Sequence, residues 1–192
     1  ALDRCLEHVM EMSDWKNKPR TRIMPNGKIR GTGMAVAMQG SSISHVDTAS
    51  VTIKVNDDGF YTMNIGATDM GTGCDTILAQ IAAECLECSA DNIIVHGVDT
   101  DLSPYDSGSY ASSTTYLTGM AVVKTCESLI KLIRETAAKK LGCSFEETEF
   151  TGKGVICTNN DKFISLIDLS YAAQCGAIAP LHATEAHHSP VS

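Results

Sequence analysis

The stretch between residues 107 and 115 is unusually rich in hydroxyl groups. Seven of its nine side chains carry a hydroxyl, the other two residues are Gly108 and Ala111, and none is charged. An apolar helical periodicity begins directly afterwards, so the stretch is predicted to precede a helix. Hydroxyls and the free N–H groups of a helix N-terminus bind phosphate without a formal positive charge, and small residues leave room for a bulky ligand. The candidate donors are Ser107, Ser109, Ser112, Ser113, Thr114 and Thr115.

A second stretch of similar character is ATDMGTGCDTILAQI at residues 67–81. It follows a predicted strand and opens a predicted helix. Gly71 and Gly73 allow close approach of the backbone to a ligand, and Thr76 adds a donor near the positive end of the helix dipole. No Gly-Lys-Ser/Thr follows, so this is not a Walker A loop, and the third glycine of a dinucleotide-binding fingerprint is absent.

Together, the two stretches predict a clamp around one extended, phosphate-bearing cofactor. We therefore expect the helices beginning near Asp75 and Thr115 to direct their N-termini toward a common face. The alternative is that the hydroxyls only cap the helices and that the Ser/Gly-rich segment is an ordinary loop.

Other groups that could do chemistry have simpler interpretations. Cys85 and Cys88 form an isolated C-x-x-C on a predicted apolar helix stripe, without the second pair that zinc sites use. Histidines crowd residues 182–188, where a frayed chain end is the simpler interpretation than a metal site, and the DTD at 99–101 is expected to be a polar loop. No G-x-S-x-G hydrolase signature occurs. We predict no catalytic residue and no metal ligand in this chain.

The elements that must position these stretches follow from the apolar spacing. Amphipathic helices are predicted over residues 75–88 and 115–141, and alternation around Gly59 predicts a hairpin of strands 50–56 and 61–65. Further predictions are a helix over 2–16, strands at 29–39 and in NIIVHGV, a hairpin from GVICTN and KFISL, and a helix in LIDLSYAAQC. This order predicts an α+β fold, a mixed sheet with antiparallel hairpins packed by amphipathic helices.

The predicted organisation has three segments: a leading helix and loop at 1–28, a ligand-binding α+β segment at 29–176, and an irregular tail at 177–192. We expect the chain to be a piece of a longer polypeptide. The 192 residues carry a net charge of −8, which disfavours a nucleic-acid or anionic-membrane partner. No apolar stretch approaches the roughly 20 residues of a membrane span. Several of the eight cysteines fall on apolar helix stripes, as reduced thiols of a cytoplasmic protein do.

The two stretches resemble the molybdenum-cofactor-binding subunit of the xanthine dehydrogenase and aldehyde oxidase family. DMGTGCDTILAQIAAECL and DTDLSPYDSGSYASSTTYLTGMAV carry the resemblance, in the family's order, and it covers residues 29–135 well. It implies a fold like that of the molybdenum-cofactor-binding domain. The implied cofactor-binding residues are Met70, Gly71, Thr72, Gly73, Thr76, Ser109, Tyr110, Ala111, Ser112, Ser113 and Thr114.

Within that set, the resemblance implies different roles. Met70, Gly71 and Thr72 would contact the pterin, although the family usually has Gln where this chain has Thr72. Ser112 and Thr114 would meet phosphate oxygens, and Ala111 would lie beside the molybdenum, which the pterin dithiolene holds.

The resemblance also implies an activity, partners and a location. Family members hydroxylate a carbon of an aldehyde or N-heterocycle with oxygen from water. The cofactor would be molybdenum–molybdopterin, with the cytosine dinucleotide form as one alternative. Iron–sulfur clusters and FAD are expected on other domains or subunits, in a cytoplasmic enzyme. The family's carboxylate base comes from a Gly-Glu motif, and no Gly-Glu dipeptide occurs here. The alternatives are a non-catalytic assembly domain of the same fold and an unrelated nucleotide-binding module.

Overall fold

The computed structural model describes residues 2–37 and 39–190. The chain divides into two compact units between residues 38 and 39. In chain order the elements are α1 (Leu2–Met12), β1 (Thr21–Ile23), β2 (Ile29–Gly31), β3 (Thr48–Val55), β4 (Tyr61–Ile65), α2 (Cys74–Cys85), β5 (Ile93–Gly97), α3 (Thr114–Leu141), β6 (Thr148–Phe150), β7 (Gly154–Cys157), β8 (Phe163–Ser165), α4 (Leu166–Gln174) and β9 (His182–His188).

The first unit contains α1 and a short hairpin of β1 and β2. The hairpin is antiparallel, with Arg22 opposite Arg30, and Gly27 takes a positive φ of 77° in its turn. The sequence predicted a loop where β1 lies and a longer strand where β2 ends at Gly31. It also placed the first boundary after residue 28, ten residues before the division that the structure has.

The second unit is built on a four-stranded sheet of order β5-β4-β3-β9. The β3–β4 hairpin has the predicted alternation, with Val51 opposite Ile65 and Ile53 opposite Met63 on the buried face. β5 runs parallel to β4 because α2 provides the crossover between them. The sheet is therefore mixed, and the α+β prediction is confirmed.

Helices α2 and α3 cover the apolar face of this sheet. Leu78 from α2 and Leu129 and Ile133 from α3 are fully buried in the same core as the β3–β4 side chains. A smaller antiparallel sheet of order β6-β7-β8 packs against the C-terminal half of α3, followed by α4. The β7–β8 hairpin and α4 had been predicted, whereas β6 had not.

The expectation of an irregular tail after residue 177 is wrong for residues 182–188. These residues form β9, which pairs antiparallel with β3 along its whole length, from Thr48 opposite His188 to Lys54 opposite His182. The sequence HATEAHH gave no strand signal because β9 is a polar edge strand, stabilised by pairing with a distant segment. None of the helices that the described residues form has the length and apolarity needed to cross a bilayer.

Candidate cofactor-binding site

The two stretches singled out in the sequence meet at one pocket of about 430 Å³. It lies where the loop before α2 approaches the loop before α3. The lining residues are Met70, Thr72, Ser109, Tyr110, Ser112, Ser113, Thr114 and Thr115. The two helix N-termini thus approach one shared cavity. Four of the predicted site residues do not line the pocket: Gly71, Gly73, Thr76 and Ala111.

The loop before α3 is fastened to the sheet. Ser107 N–H donates to the Thr48 carbonyl (2.9 Å), Ser50 N–H donates to the Tyr105 carbonyl (2.9 Å), and Asp106 forms an isolated bridge with Ala49. The loop also crosses directly over Gly66, where an added Cβ would lie 2.6 Å from the Pro104 carbonyl oxygen. The loop therefore has a fixed path along the end of β3.

Four of the seven hydroxyls in this loop are engaged by the protein itself. Ser107 Oγ donates to the Thr48 carbonyl (3.1 Å), Ser109 Oγ to the Thr68 carbonyl (3.1 Å), and Ser113 Oγ to the Tyr110 carbonyl (2.6 Å), while Tyr110 donates to an Asp47 carboxylate oxygen. The Ser109 contact joins the two loops of the pocket. These hydroxyls therefore shape the site.

The remaining three hydroxyls have no hydrogen-bond partner among the described residues. They belong to Ser112, Thr114 and Thr115, and all three line the pocket. Ser113 is the N-cap residue of α3 but makes no side-chain capping bond, and the first turn of α3 contains no acidic residue. Because the first N–H groups of a helix have no intrahelical partner, this N-terminus can receive an anion. The simple capping alternative does not describe this helix.

The N-terminus of α2 has a different electrostatic character. Asp69 Oδ1 accepts hydrogen bonds from the N–H groups of Gly71 (2.8 Å) and Gly73 (3.1 Å), and these bonds lower the pKa of Asp69. Asp75 adds a second carboxyl in the first turn. Burial, followed by the nearby Asp75 carboxylate, raises the pKa of Cys74 to about 11.

The two ends of the predicted clamp therefore differ in charge. The chain's own Asp69 carboxylate accepts hydrogen bonds from the glycine N–H groups before α2, whereas the first turn of α3 contains no acidic residue. Gly71 and Gly73 have φ values of 100° and 74°, and no other atom lies within 4 Å of a Cβ built on either. The glycines thus meet a conformational need of the turn around Asp69.

The turn that ends the hydroxyl-rich loop is held in an uncommon conformation. Ala111 and Ser112 both have left-handed backbones, with φ of 50° and 52°. For non-glycine residues this conformation costs about 1–2 kcal/mol each. Ser42 N–H donates to the Ala111 carbonyl (3.0 Å) and helps to hold the turn. Strain of this kind is concentrated at ligand sites, because the surrounding structure must stabilise it.

Asp47 is the buried support of this turn. It is 1% exposed, and its carboxylate accepts hydrogen bonds from the Tyr110 hydroxyl and from Ile43 N–H (2.6 Å). The bond to Asp47 raises the pKa of the Tyr110 hydroxyl, which therefore stays protonated and remains a donor. Sequence reasoning missed Asp47 and Ser42, since a single polar residue before a strand carries no recognisable pattern.

The cysteine pair and the C-terminal histidines named from the sequence lie at the end of α2 and in β9. Cys85 and Cys88 are half-buried, and burial raises the pKa of both thiols, as the core interpretation expects. The C-terminal histidines do not lie in a frayed end, because they belong to β9. His187 packs edge-on against Tyr116 of α3, while His182 and His188 are exposed.

Comparison with known proteins identifies the class to which this fold and site belong. Residues 8–191 match the family described as the molybdopterin cofactor-binding domain. The chain belongs to that family, which confirms the resemblance and excludes an unrelated nucleotide-binding module.

Individual relatives give the match more detail. The chain is 33% identical over 178 residues to a probable hypoxanthine oxidase of Escherichia coli, covering 92% of this chain and 18% of the relative. It is 30% identical over 160 residues to the gamma subunit of a 6-hydroxypseudooxynicotine dehydrogenase complex of Paenarthrobacter nicotinovorans, covering 83% of this chain and 20% of that subunit. The chain thus spans about a fifth of these relatives.

A solved structure has the same fold. CO dehydrogenase from Oligotropha carboxidovorans superimposes with a TM-score of 0.66 at 24% identity, covering 74% of this chain and 18% of that one. At this identity the likeness concerns the fold alone.

Proposed function

We propose that this chain is the cofactor-binding segment of a molybdenum hydroxylase, and that the pocket between the two loops receives the molybdopterin. The observation that carries the proposal is the set of three unpartnered hydroxyls, Ser112, Thr114 and Thr115, at the uncapped N-terminus of α3. A phosphate group matches this donor set. Family membership supplies the identity of the phosphate-bearing group.

Each loop has its own part in binding. Ser112 and Thr114 hold the phosphate oxygens together with the first N–H groups of α3, since neutral donors to a charged acceptor form strong hydrogen bonds in a site shielded from water. Met70 and Thr72 contact the pterin from the opposite wall. Thr72 is shorter than the glutamine usual in the family, so a water molecule or another residue completes that contact.

The bound cofactor supplies two-electron oxidation and incorporation of oxygen from water into a carbon of an N-heterocycle or aldehyde. Ala111, which the resemblance placed beside the molybdenum, does not line the pocket, so its small side chain is given no contact with the cofactor in this proposal. The carboxylate base and the iron–sulfur and flavin groups are contributed by other segments or subunits, and the whole enzyme works in the cytoplasm. The cytosine dinucleotide form of the cofactor remains one alternative for the group that enters this pocket.

Retention of molybdenum tests the phosphate site. We expect Ser112→Ala and Thr114→Ala, introduced into the full enzyme, to increase dissociation of the cofactor. Each change deletes a donor to a charged group, which contributes about 1.5–3 kcal/mol, or a factor of ten or more in affinity. Molybdenum remaining after extended dialysis is measured by elemental analysis.

Thr136→Ala, on the same helix but far from its N-terminus, is the matched control and should retain wild-type molybdenum. Full retention in the Ser112→Ala, Thr114→Ala double variant would show that these hydroxyls do not hold the cofactor. If the wild-type enzyme itself contains no molybdenum, the non-catalytic assembly role replaces this proposal.

A further inference from the structure

A second group of potential ligands lies away from the cofactor pocket, where the C-terminal end of α3 meets the small sheet. The Sγ atoms of Cys143 and Cys157 and a carboxylate oxygen of Glu147 all lie within 4.8 Å of one another. In tetrahedral zinc sites, with Zn–S bonds of about 2.3 Å, neighbouring ligand atoms lie roughly 3.5–4 Å apart. The three atoms are therefore close to the separation that one metal ion imposes.

Three different elements deliver these ligands. α3 ends at Gly142 in a left-handed conformation (φ 70°), which turns the chain and places Cys143 beside the small sheet. Glu147 ends the 3₁₀ turn at Phe145–Glu147, and Cys157 ends β7, where it pairs with Thr148. None of the three is in a long loop, so their positions are set by regular structure.

The carboxylate of Glu147 is already oriented. Its Oε2 accepts from Ser144 N–H (2.9 Å) and its Oε1 from Asn159 Nδ2 (2.9 Å). Outer hydrogen bonds of this kind fix the direction of a metal-binding carboxylate and leave its other lone pairs free. The capping box explains the bond to Ser144, but it does not explain why two thiols meet at this carboxylate.

Burial and charge also suit a metal ion. Cys157 is fully buried, whereas Cys143 and Glu147 are half-buried, so solvent can supply a fourth ligand from one side. When a divalent ion binds, the two thiols release their protons, and the ion together with the nearby Lys162 ammonium balances the charge of −3 on two thiolates and one carboxylate. Thiolates select soft or borderline ions, which favours Zn²⁺ over Mg²⁺ or Ca²⁺.

We propose that Cys143, Cys157 and Glu147 form a zinc site that joins the C-terminal end of α3 to β7. The site is separate from the molybdopterin pocket, none of whose lining residues belongs to it. With solvent as the fourth ligand, the ion would link the chain just after the long helix to the small sheet and stabilise their contact.

Titration of the reduced, metal-free 192-residue chain with Co²⁺ tests this site. Thiolate ligands give Co²⁺ an intense charge-transfer absorption, and we expect this band to saturate at one equivalent and to disappear when Zn²⁺ is added. Zn²⁺ should also raise the thermal unfolding temperature, because the ion binds the folded state. Glu147→Gln is expected to weaken Zn²⁺ binding by about tenfold or more.

Cysteine variants locate the site within the chain. Cys143→Ser should reduce the charge-transfer absorption at least twofold, because one of the two thiolates is lost, whereas Cys88→Ser and Cys175→Ser, which change thiols elsewhere, should keep its full intensity. Cys157→Ala is expected to behave like Cys143→Ser. If the Cys157→Ala variant does not fold, the less buried Cys143 gives the decisive result. Absence of the band in the wild type, its survival at full intensity in Cys143→Ser, or its loss in Cys88→Ser would overturn the proposal. A Cys143–Cys157 disulfide that persists in reductant would overturn it as well.

Discussion

At the scale of single residues, Asp47 stabilises the turn formed by Ala111 and Ser112 through its hydrogen bond to Tyr110. Its buried carboxylate is shared by the Tyr110 hydroxyl and Ile43 N–H, and its own carbonyl accepts from Ser189 N–H (2.9 Å). Two segments distant in sequence, around Tyr110 and Ser189, therefore meet at this one residue. The left-handed backbones of Ala111 and Ser112 lie directly after Tyr110, so their strain is balanced through this contact.

Replacing this carboxylate should destabilise the fold and loosen the turn. We expect Asp47→Ala to lower the free energy of unfolding by about 1–3 kcal/mol, since buried donors are left without an acceptor. The midpoint of urea unfolding measures the change, and Asp57→Ala, an exposed carboxylate beyond the other end of β3, is the control. Equal midpoints for the two variants would contradict a supporting role of Asp47.

The sequence showed which residues could meet a ligand but not how the protein uses them. The clustering of hydroxyls predicted the pocket walls, because a run of small donors before a helix is a local pattern. Loop geometry decides which hydroxyls the protein itself engages. Those of Ser107, Ser109 and Ser113 donate to backbone carbonyls, whereas those of Ser112, Thr114 and Thr115 have no partner among the described residues. The occupation of the Gly71 and Gly73 N–H groups by Asp69 likewise depends on a turn that spacing alone did not predict.

At the scale of elements, the packing of the loop on β4 depends on Gly66. A Cβ at Gly66 would lie 2.6 Å from both Asp106 Cβ and the Pro104 carbonyl oxygen, which is too close for real atoms. We expect Gly66→Ala to displace the loop and cost about 1–3 kcal/mol of stability, measured by urea unfolding. Gly97→Ala in neighbouring β5 is the control, since its Cβ would meet no atom closer than 3.4 Å. Similar losses for both variants would show that strand propensity, and not the loop contact, sets the cost.

The packing of β9 on α3 should make stability depend on pH. Both ring nitrogens of His187 are buried without a hydrogen-bond partner among the described residues. Burial, followed by the charge of Lys124, lowers the pKa of His187 below its ordinary value of 6.5. The folded state disfavours the protonated ring. The contribution of the neutral ring to the free energy of unfolding is therefore fully present above pH 6.5, and it is lost as the pH falls through the lowered pKa of His187.

His187→Phe should therefore lose less stability on acidification than the wild type does. Urea unfolding midpoints measured above pH 6.5 and below the lowered pKa of His187 test the expectation. As a control, His182→Phe, at an exposed position of the same strand, should keep the pH dependence of stability that the wild type has. Parallel pH profiles for His187→Phe and the wild type would contradict it.

Elements with strong local patterns were predicted well, and elements that depend on distant pairing were not. The β3–β4 hairpin alternates cleanly around a glycine turn, and α3 carries an apolar stripe over its whole length. β9 and β6 are short or polar, and each becomes a strand only because a partner strand provides its hydrogen bonds. The sheet order, with β9 beside β3, could not follow from either segment alone.

At the scale of the whole molecule, the candidate cofactor pocket is formed by the two loops before α2 and α3 and by the first turn of α3. The relatives of the chain are about five times longer, since the chain spans 18% of the probable hypoxanthine oxidase. The pocket is open, so a bound phosphate would be exposed to water, where hydrogen bonds contribute little net affinity. In the proposed function, the remaining walls of the pocket are contributed by other segments of the enzyme.

We therefore expect the 192-residue chain by itself to bind little molybdenum and to be inactive. It contains no Gly-Glu dipeptide, so the family's carboxylate base is absent, and general-base catalysis typically contributes about 100- to 10,000-fold in rate. The test is to purify the chain from a host that makes the cofactor and to measure bound molybdenum by elemental analysis. Dye reduction is assayed with purines, nicotinate and aldehydes, and the full enzyme from the same host is the control. Metal near one equivalent, or turnover above background, would mean that this chain contains the catalytic machinery assigned to its partners.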